Sequence, residues 1–95
     1  MSVAIATRVF RSEVLVGLMW YFANHPAATK PEATAALDLP RQVVAANVRI
    51  LIEAGVLTVD VEPRGTRPGR YTTDTQRVRE LADALAAYSC GISQG

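Results

Sequence analysis

Three arginines fall within seven residues of the sequence and could bind a polyanion. Arg64, Arg67 and Arg70 have no acidic residue among them, and Pro63 and Pro68 stiffen the loop that carries them. The arginine fork of donors fits phosphate, and it also suits the narrow, electronegative minor groove of DNA. The pattern therefore favours contact with DNA. The alternative is an exposed hairpin whose charges keep it soluble and guard its edge against pairing.

A second polar set lies along a helix predicted from Pro40 to about Ala54. Its inward face is apolar, because Val44, Val48 and Leu51 recur at i, i+4 and i+7. Its outward face carries Gln42, Ala46, Arg49 and Glu53, and Arg41 leads the helix. In the major groove arginine can pair with guanine, glutamine with adenine, and an alanine methyl can meet the thymine methyl. DNA contact is favoured over the alternative, a solvated face on which Arg49 pairs with Glu53.

Catalysis and metal binding find little support in the sequence. Cys90 has no neighbouring base and His25 precedes Pro26, so an inert thiol and a helix-end residue are the simpler interpretations. One cysteine and one histidine cannot supply four zinc ligands. The aromatic run 20–22 could line a ligand pocket, although core and dimer packing is favoured. We predict no enzyme, no cofactor and no metal, and leave open whether an effector exists.

The composition is that of one small soluble domain spanning 1–95, with an ordered core at about 8–90. The 95 residues are 49% apolar and 20% charged with net charge +1, which excludes an acidic disordered tail and a polybasic arm. Nine of the ten basic residues are arginine. The longest apolar run, 14–23, is about half the roughly 20 residues that a membrane span needs. With one cysteine, these features predict a cytoplasmic protein.

The helices and strands that position these residues can be predicted from the spacing of apolar residues and from the prolines and glycines that interrupt helices. A first helix is expected from about Arg8 to Asn24, apolar almost all round in its second half, which suggests that it faces both a core and a partner chain. The capping-box spacing of residues 29–32 predicts a second helix to about Leu37. A turn at 38–40 leads into the third helix, and Gly55 is placed to end it.

The rest of the sequence predicts a hairpin and a last helix. Residues 57–61 alternate between apolar and polar, as in a half-buried strand, and 70–73 can return as the second strand. Asp74 or Thr73 would cap the last helix, and Gly91 would end it. One stripe of that helix is formed by Val78, Leu81, Leu85 and Tyr88.

The order helix, helix, turn, helix, hairpin, helix predicts a winged helix-turn-helix domain, mainly α with a small β-hairpin. Residues 37–57, with Leu-x-Leu at the start and Glu-Ala-Gly-Val-Leu at the end, resemble the helix-turn-helix core of the ArsR and MarR groups of bacterial transcription regulators. Pro-Arg-Gly-Thr-Arg-Pro-Gly-Arg-Tyr at 63–71 resembles their wing. The sequence departs from the family where Asp38 replaces a common glycine, and where Ala45 and Ala46 replace polar residues that often read bases.

The resemblance implies a homodimer that binds double-stranded DNA as a repressor-type regulator. The third helix would lie in the major groove, and the first and last helices would form the dimer interface. The DNA-binding residues implied are Lys30, Arg41, Gln42, Ala45, Ala46, Arg49, Arg64, Thr66, Arg67 and Arg70. The dimer residues implied are Leu15, Leu18, Met19, Phe22, Val78, Leu81, Leu85 and Tyr88. Two alternatives stay open, a plasmid or phage partition protein and a winged-helix protein-interaction module without DNA binding.

Overall fold

Five helices and one hairpin make up the part of the chain that the computed structural model describes, which is the backbone of residues 3–94 and the side chains of residues 3–87. In chain order the elements are α1 (Val3–Arg11), α2 (Glu13–Asn24), α3 (Lys30–Leu37), α4 (Arg41–Glu53), β1 (Leu57–Val61), β2 (Arg70–Thr73) and α5 (Thr75–Gln94). The order and type of the predicted elements from residue 13 onward are confirmed.

The predicted first helix is wrong in one respect, since two helices replace it. Ser12 has extended backbone angles and its hydroxyl accepts a hydrogen bond from the Leu15 amide at 3.2 Å, so it caps α2 and separates it from α1. A serine cap satisfies an amide that would otherwise lack a partner at a helix start. The first of these helices also begins earlier than expected, at Val3. The last helix continues past Gly91 to Gln94, which corrects its predicted end.

The helix α2 lies at the centre of the core, where it packs against α1, α3, α4 and β2. Phe22, Leu18, Leu51 and Leu81 are the largest side chains that are fully buried. Five of the residues expected at a dimer interface therefore belong to the core of a single chain, because their side chains are buried there: Leu15, Leu18, Met19, Phe22 and Leu81. Val78 and Leu85 are half-buried against that core, and the Tyr88 side chain lies outside the described residues.

The two strands form an antiparallel pair that is tied to α2 and leads into α5. Leu57 lies opposite Thr73 and Val59 opposite Tyr71, and the register shifts between Val59 and Val61. The Thr73 hydroxyl donates a hydrogen bond to the Met19 carbonyl at 2.8 Å, so Thr73 ties the hairpin to α2. Asp74 is the residue that caps α5, accepting from the Arg77 amide at 3.1 Å.

Candidate nucleic-acid interface

The helix α4 presents a buried face and an exposed face, as its spacing predicts. Val44, Val48 and Leu51 are buried with at most 1% of their surface accessible. On the opposite side the five residues expected to meet DNA are all exposed: Arg41, Gln42, Ala45, Ala46 and Arg49. A glycine ends the helix as expected, with Gly55 at φ +77° and the Val56 amide bonded to the Leu51 carbonyl at 2.9 Å. This is the Schellman arrangement of a helix C-terminus.

The preceding helix α3 begins at a complete capping box. The Thr29 hydroxyl accepts from the Glu32 amide at 3.3 Å, and the Thr29 amide donates to the Glu32 carboxylate at 2.8 Å. The Thr29 hydroxyl also donates to this carboxylate at 3.0 Å, and the hydrogen bonds that the carboxylate accepts from the Thr29 backbone and hydroxyl lower the pKa of Glu32 below its ordinary value. Lys30 opens the helix and lines two surface concavities together with Ala45, so α3 and α4 contribute cations to one face.

The turn between α3 and α4 is formed without glycine. Asp38 adopts left-handed angles, φ 52° and ψ 49°, and its amide donates to the Thr34 carbonyl. Left-handed geometry explains why a glycine would suit this position, and aspartate is among the few other residues that tolerate it. The turn predicted at residues 38–40 is therefore confirmed, with aspartate rather than glycine at the left-handed position.

The cations on this face have no acidic partners within the described residues. The one ion pair found there joins Arg77 and Glu80, with 4.0 Å between Nη1 and Oε1. Arg41, Arg49 and Arg64 form no ion pair with another described residue, so the alternative pairing of Arg49 with Glu53 is absent. Their charges therefore remain available to an external anion.

The loop that joins β1 to β2, residues 62–69, has a tight turn at its tip, residues 64–67. The amides and carbonyls of Arg64 and Arg67 exchange two hydrogen bonds, 3.0 and 2.9 Å long. Gly65 follows Arg64 with φ +59°, the positive angle that a type II′ hairpin turn needs at its first central position. Thr66 is exposed beside it. This turn places Arg64 and Arg67 directly opposite each other at the surface.

Two of the three wing arginines have hydrogen-bond partners inside the chain. Arg67 donates from Nη2 to the Glu62 carbonyl at 3.3 Å, and Arg70 donates from Nη1 to the Ala27 carbonyl at 2.9 Å. The structure therefore assigns Arg70 a bracing role that the sequence did not reveal, although its side chain is exposed. Of these three arginines, Arg64 is the one whose guanidinium forms no hydrogen bond with a described residue.

The brace at Arg70 is part of a wider junction between β2 and the loop before α3. The Tyr71 amide donates to the Ala28 carbonyl at 2.9 Å, and the Ala27 amide donates to the Thr72 hydroxyl at 2.8 Å. The Lys30 ammonium lies 5.7 Å from the centre of the Tyr71 ring. Because these bonds join the wing strand to the start of α3, the wing and the helix-turn-helix are positioned together.

The Tyr71 side chain anchors this junction in the core. It is 3% exposed and meets Phe22 edge to face, with ring centres 6.0 Å apart. Burial, and secondarily the charge of Glu62, raise the pKa of Tyr71 above its ordinary value. The side chain also passes so close to Gly69 that a Cβ there would come within 2.5 Å of the tyrosine oxygen. The aromatic residue after the basic loop is thus a packing residue.

An arginine on α5 supports the C-terminal end of α4. Arg77 on α5 donates from Nε to the Ala54 carbonyl at 3.0 Å, at the C-terminal end of α4. A cation at that end of a helix is favoured by the helix dipole. Sequence spacing could not find this contact, since 23 residues separate the two partners.

The described part of the chain offers little support for metal binding or catalysis. There, no group of three or more His, Cys, Asp or Glu residues could hold a metal ion. No helix among the described residues is long and apolar enough to cross a membrane. Cys90 lies outside the described side chains, and His25 is exposed at the end of α2, where its ring stacks on Tyr21 with centres 4.3 Å apart.

Comparison with solved structures decides the fold. The chain is similar to a MarR family transcription regulator, SP03579, with a TM-score of 0.64 and 20% identity over 97% of this chain. It has the winged-helix fold. A second neighbour is NMB1585, a MarR family regulator from Neisseria meningitidis, with a TM-score of 0.61 and 16% identity over 86% of this chain. The expected fold class, mainly α with a small hairpin, is thereby confirmed.

The winged helix spans 65% and 57% of the lengths of these two neighbours. No family model matches its sequence, and no curated protein matches it either. Structural similarity at 16–20% identity establishes a shared fold, whereas function depends on the particular residues placed on that fold.

Proposed function

We propose that this winged helix is a DNA-binding transcription regulator without catalytic activity. One observation carries the proposal, which is that Arg41, Arg49 and Arg64 are exposed on the recognition helix and the wing and form no ion pair with a described residue. Lys30 lies close enough to α4 to share two concavities with Ala45. Unpaired cations on a helix and on an adjacent loop suit the phosphates that flank a major groove.

The test is a titration of labelled duplex DNA with the protein at several salt concentrations. Because each neutralised phosphate releases counterions, the logarithm of affinity should fall linearly with the logarithm of salt concentration. Replacing Arg41 and Arg49 together by alanine should weaken binding and make the slope shallower by about 2 for each bound chain. Arg79→Ala removes one such charge from an exposed position on α5 and should change neither quantity. Absence of duplex binding at moderate salt would overturn the proposal and favour a protein-interaction module.

The second part of this proposal concerns which DNA sequences the protein prefers. We propose that Gln42 and Arg49 contact base edges, and that occupancy of an operator represses transcription in the cytoplasm. Selection of bound duplexes from random DNA would then return one motif, and Gln42→Ala should narrow its advantage over random DNA by roughly 1–3 kcal/mol. Many spaced copies of the motif in the DNA that encodes the protein would instead favour a partition role.

We further propose that the protein binds DNA as a homodimer. Most of the residues predicted for the dimer interface are buried within the chain, so the proposed contact surface lies around Trp20 instead. Trp20 on α2 is 64% exposed and borders an apolar concavity of about 420 Å³ shared with Phe10, Val16, Met19 and Val78. Contiguous exposed apolar patches commonly mark contact surfaces. Sedimentation at micromolar concentration should give twice the chain mass of 10.2 kDa. Trp20→Gln should shift the protein toward monomer, whereas Ala36→Gln on the exposed side of α3 should not.

A further inference from the structure

The outward face of α4 has an apolar stretch between its charged residues. Ala45 and Ala46 are exposed there, and together with Val48 and Ile52 they supply the apolar part of the lining of a concavity of about 490 Å³. Lys30, Arg49 and Glu53 line the same concavity. We refer to it as the alanine cleft.

Space is open on more than one side of Ala45. It also borders a concavity of about 480 Å³ with Arg41 and Gln42, and a third of about 560 Å³ that includes Lys30 and Arg41. A methyl side chain at this position does not fill these spaces. A group on a DNA base could therefore approach the axis of α4 more closely here than at the arginines on either side.

Resting on the proposed function, we propose that the alanine cleft receives the 5-methyl groups of thymine and that Ala45 and Ala46 determine specificity. The thymine methyl is the apolar group that base edges present in the major groove. The other base edges present donors and acceptors, which would lose hydrogen bonds with water and find no partner on an alanine methyl. Thymine is therefore the base that loses least by facing this lining.

The charged residues of the cleft define what should neighbour the thymine. Arginine pairs through both donors with O6 and N7 of guanine, and glutamate accepts from the amino group of cytosine. Arg49 and Glu53 are one helical turn apart on α4 and line the cleft together with the alanines. The preferred site should thus contain thymine beside a guanine–cytosine pair.

Uracil substitution in the DNA tests the proposal on the unmodified protein. The preferred duplex is first selected from random DNA, and each thymine is then replaced singly by deoxyuridine, which keeps every hydrogen-bonding group and loses the methyl. At one or two positions binding should weaken about fourfold, the equivalent of one buried methyl group of about 0.8 kcal/mol. The salt dependence should stay unchanged, because no phosphate contact is altered.

A protein variant then assigns the effect to the cleft. With Ala45→Ser the ratio of thymine to uracil affinity at the sensitive positions should fall toward one, since a hydroxyl replaces the apolar contact. The ratio is measured within one protein, so a change in its folded fraction cancels. Ala82→Ser makes the same substitution at an exposed position of α5 and should keep the full fourfold ratio.

The outcomes separate this inference from the proposed function. Equal binding of thymine and uracil at every position, in a protein that still prefers its site, would overturn the thymine contact and leave DNA binding intact. A preferred site without thymine opposite α4, or an undiminished ratio in Ala45→Ser, would overturn it as well. Failure to bind any duplex would remove both the inference and the proposed function.

Discussion

Replacing Arg77 by alanine should destabilise the fold although the residue lies outside the apolar core. Its Nε donates to the Ala54 carbonyl at 3.0 Å, and its side chain is 26% exposed. Ala54 caps the C-terminal end of α4 and is itself 8% exposed. The substitution would remove the donor from a largely buried carbonyl, and would also remove a positive charge from a helix end that favours one.

The size of the effect follows from these two losses. A hydrogen bond from a charged donor contributes about 1.5–3 kcal/mol, and a cation near a helix C-terminus contributes about 0.3–1 kcal/mol. Water can reach part of the site and restore part of the first term, so we expect a loss of about 1.5–2.5 kcal/mol. The ion pair with Glu80 adds little, because its atoms are 4.0 Å apart and half of the Glu80 side chain is exposed.

Thermal unfolding followed by circular dichroism measures this loss. For a domain of this size 1 kcal/mol shifts Tm by about 4–8 °C, so Tm should fall by roughly 6–20 °C. Arg79→Ala changes the same charge two residues further along α5, at an exposed position, and should shift Tm by less than about 4 °C. Equal Tm values for the two variants would refute the assignment of Arg77 as a cap of α4.

Three further predictions use other contacts. Arg64→Ala should leave Tm unchanged, since this side chain has no partner among the described residues, and should reduce the salt slope of DNA binding by about 1 for each bound chain. An unchanged slope in the titration would show that Arg64 does not contact phosphate. Ala27→Gly should raise the free energy of unfolding by about 0.5–1 kcal/mol, because Ala27 has φ 60°, an angle that glycine adopts without strain. Ala36→Gly, within α3, should lower it by about 1 kcal/mol. Urea unfolding measures both values, and a lower free energy of unfolding in Ala27→Gly would contradict the assignment of strain at this residue. Glu32 has a lowered pKa in the folded chain, so its contribution to stability is present above the unfolded pKa and is lost as pH falls through the folded pKa. In Glu32→Gln, which keeps an acceptor for Thr29, the acid dependence of Tm should become shallower, and an identical pH profile would refute the capping role.

The order of elements was predictable because its signals are local. The capping box at Thr29 and Glu32, the alternation along β1 and the glycine at Gly55 each act within a few residues, and each appears as expected. The signal that separates α1 from α2, the serine cap at Ser12, is also local. It was missed because the long apolar run that follows Ser12 favoured one continuous helix. A hydrophobic pattern reports which residues avoid water and does not report where one helix gives way to the next.

The dimer surface could not be predicted in the same way. The apolar spacing of α2 identifies residues that must be covered, but it does not say whether the chain itself or a second copy covers them. Leu18 and Phe22 are fully buried within the chain, while Trp20, between them in sequence, is left exposed. Only the packing of α1, α4 and β2 around α2 separates these cases.

The arginines illustrate the same limit, and the salt slope can test it. The resemblance implies six cations per chain at the DNA. Of these, Arg67 and Arg70 each donate a hydrogen bond to a carbonyl within the chain, whereas no such bond is found for Lys30, Arg41, Arg49 and Arg64 among the described residues. For a dimer in which each cation neutralises one phosphate, the slope would be about −11 for six cations per chain and about −7 for four. If only the four cations without such a bond contact phosphate, we expect a slope near −7 for a dimer. A measured slope near −11 would mean that Arg67 and Arg70 contact phosphate as well, through the guanidinium N–H groups that are not bonded to a carbonyl.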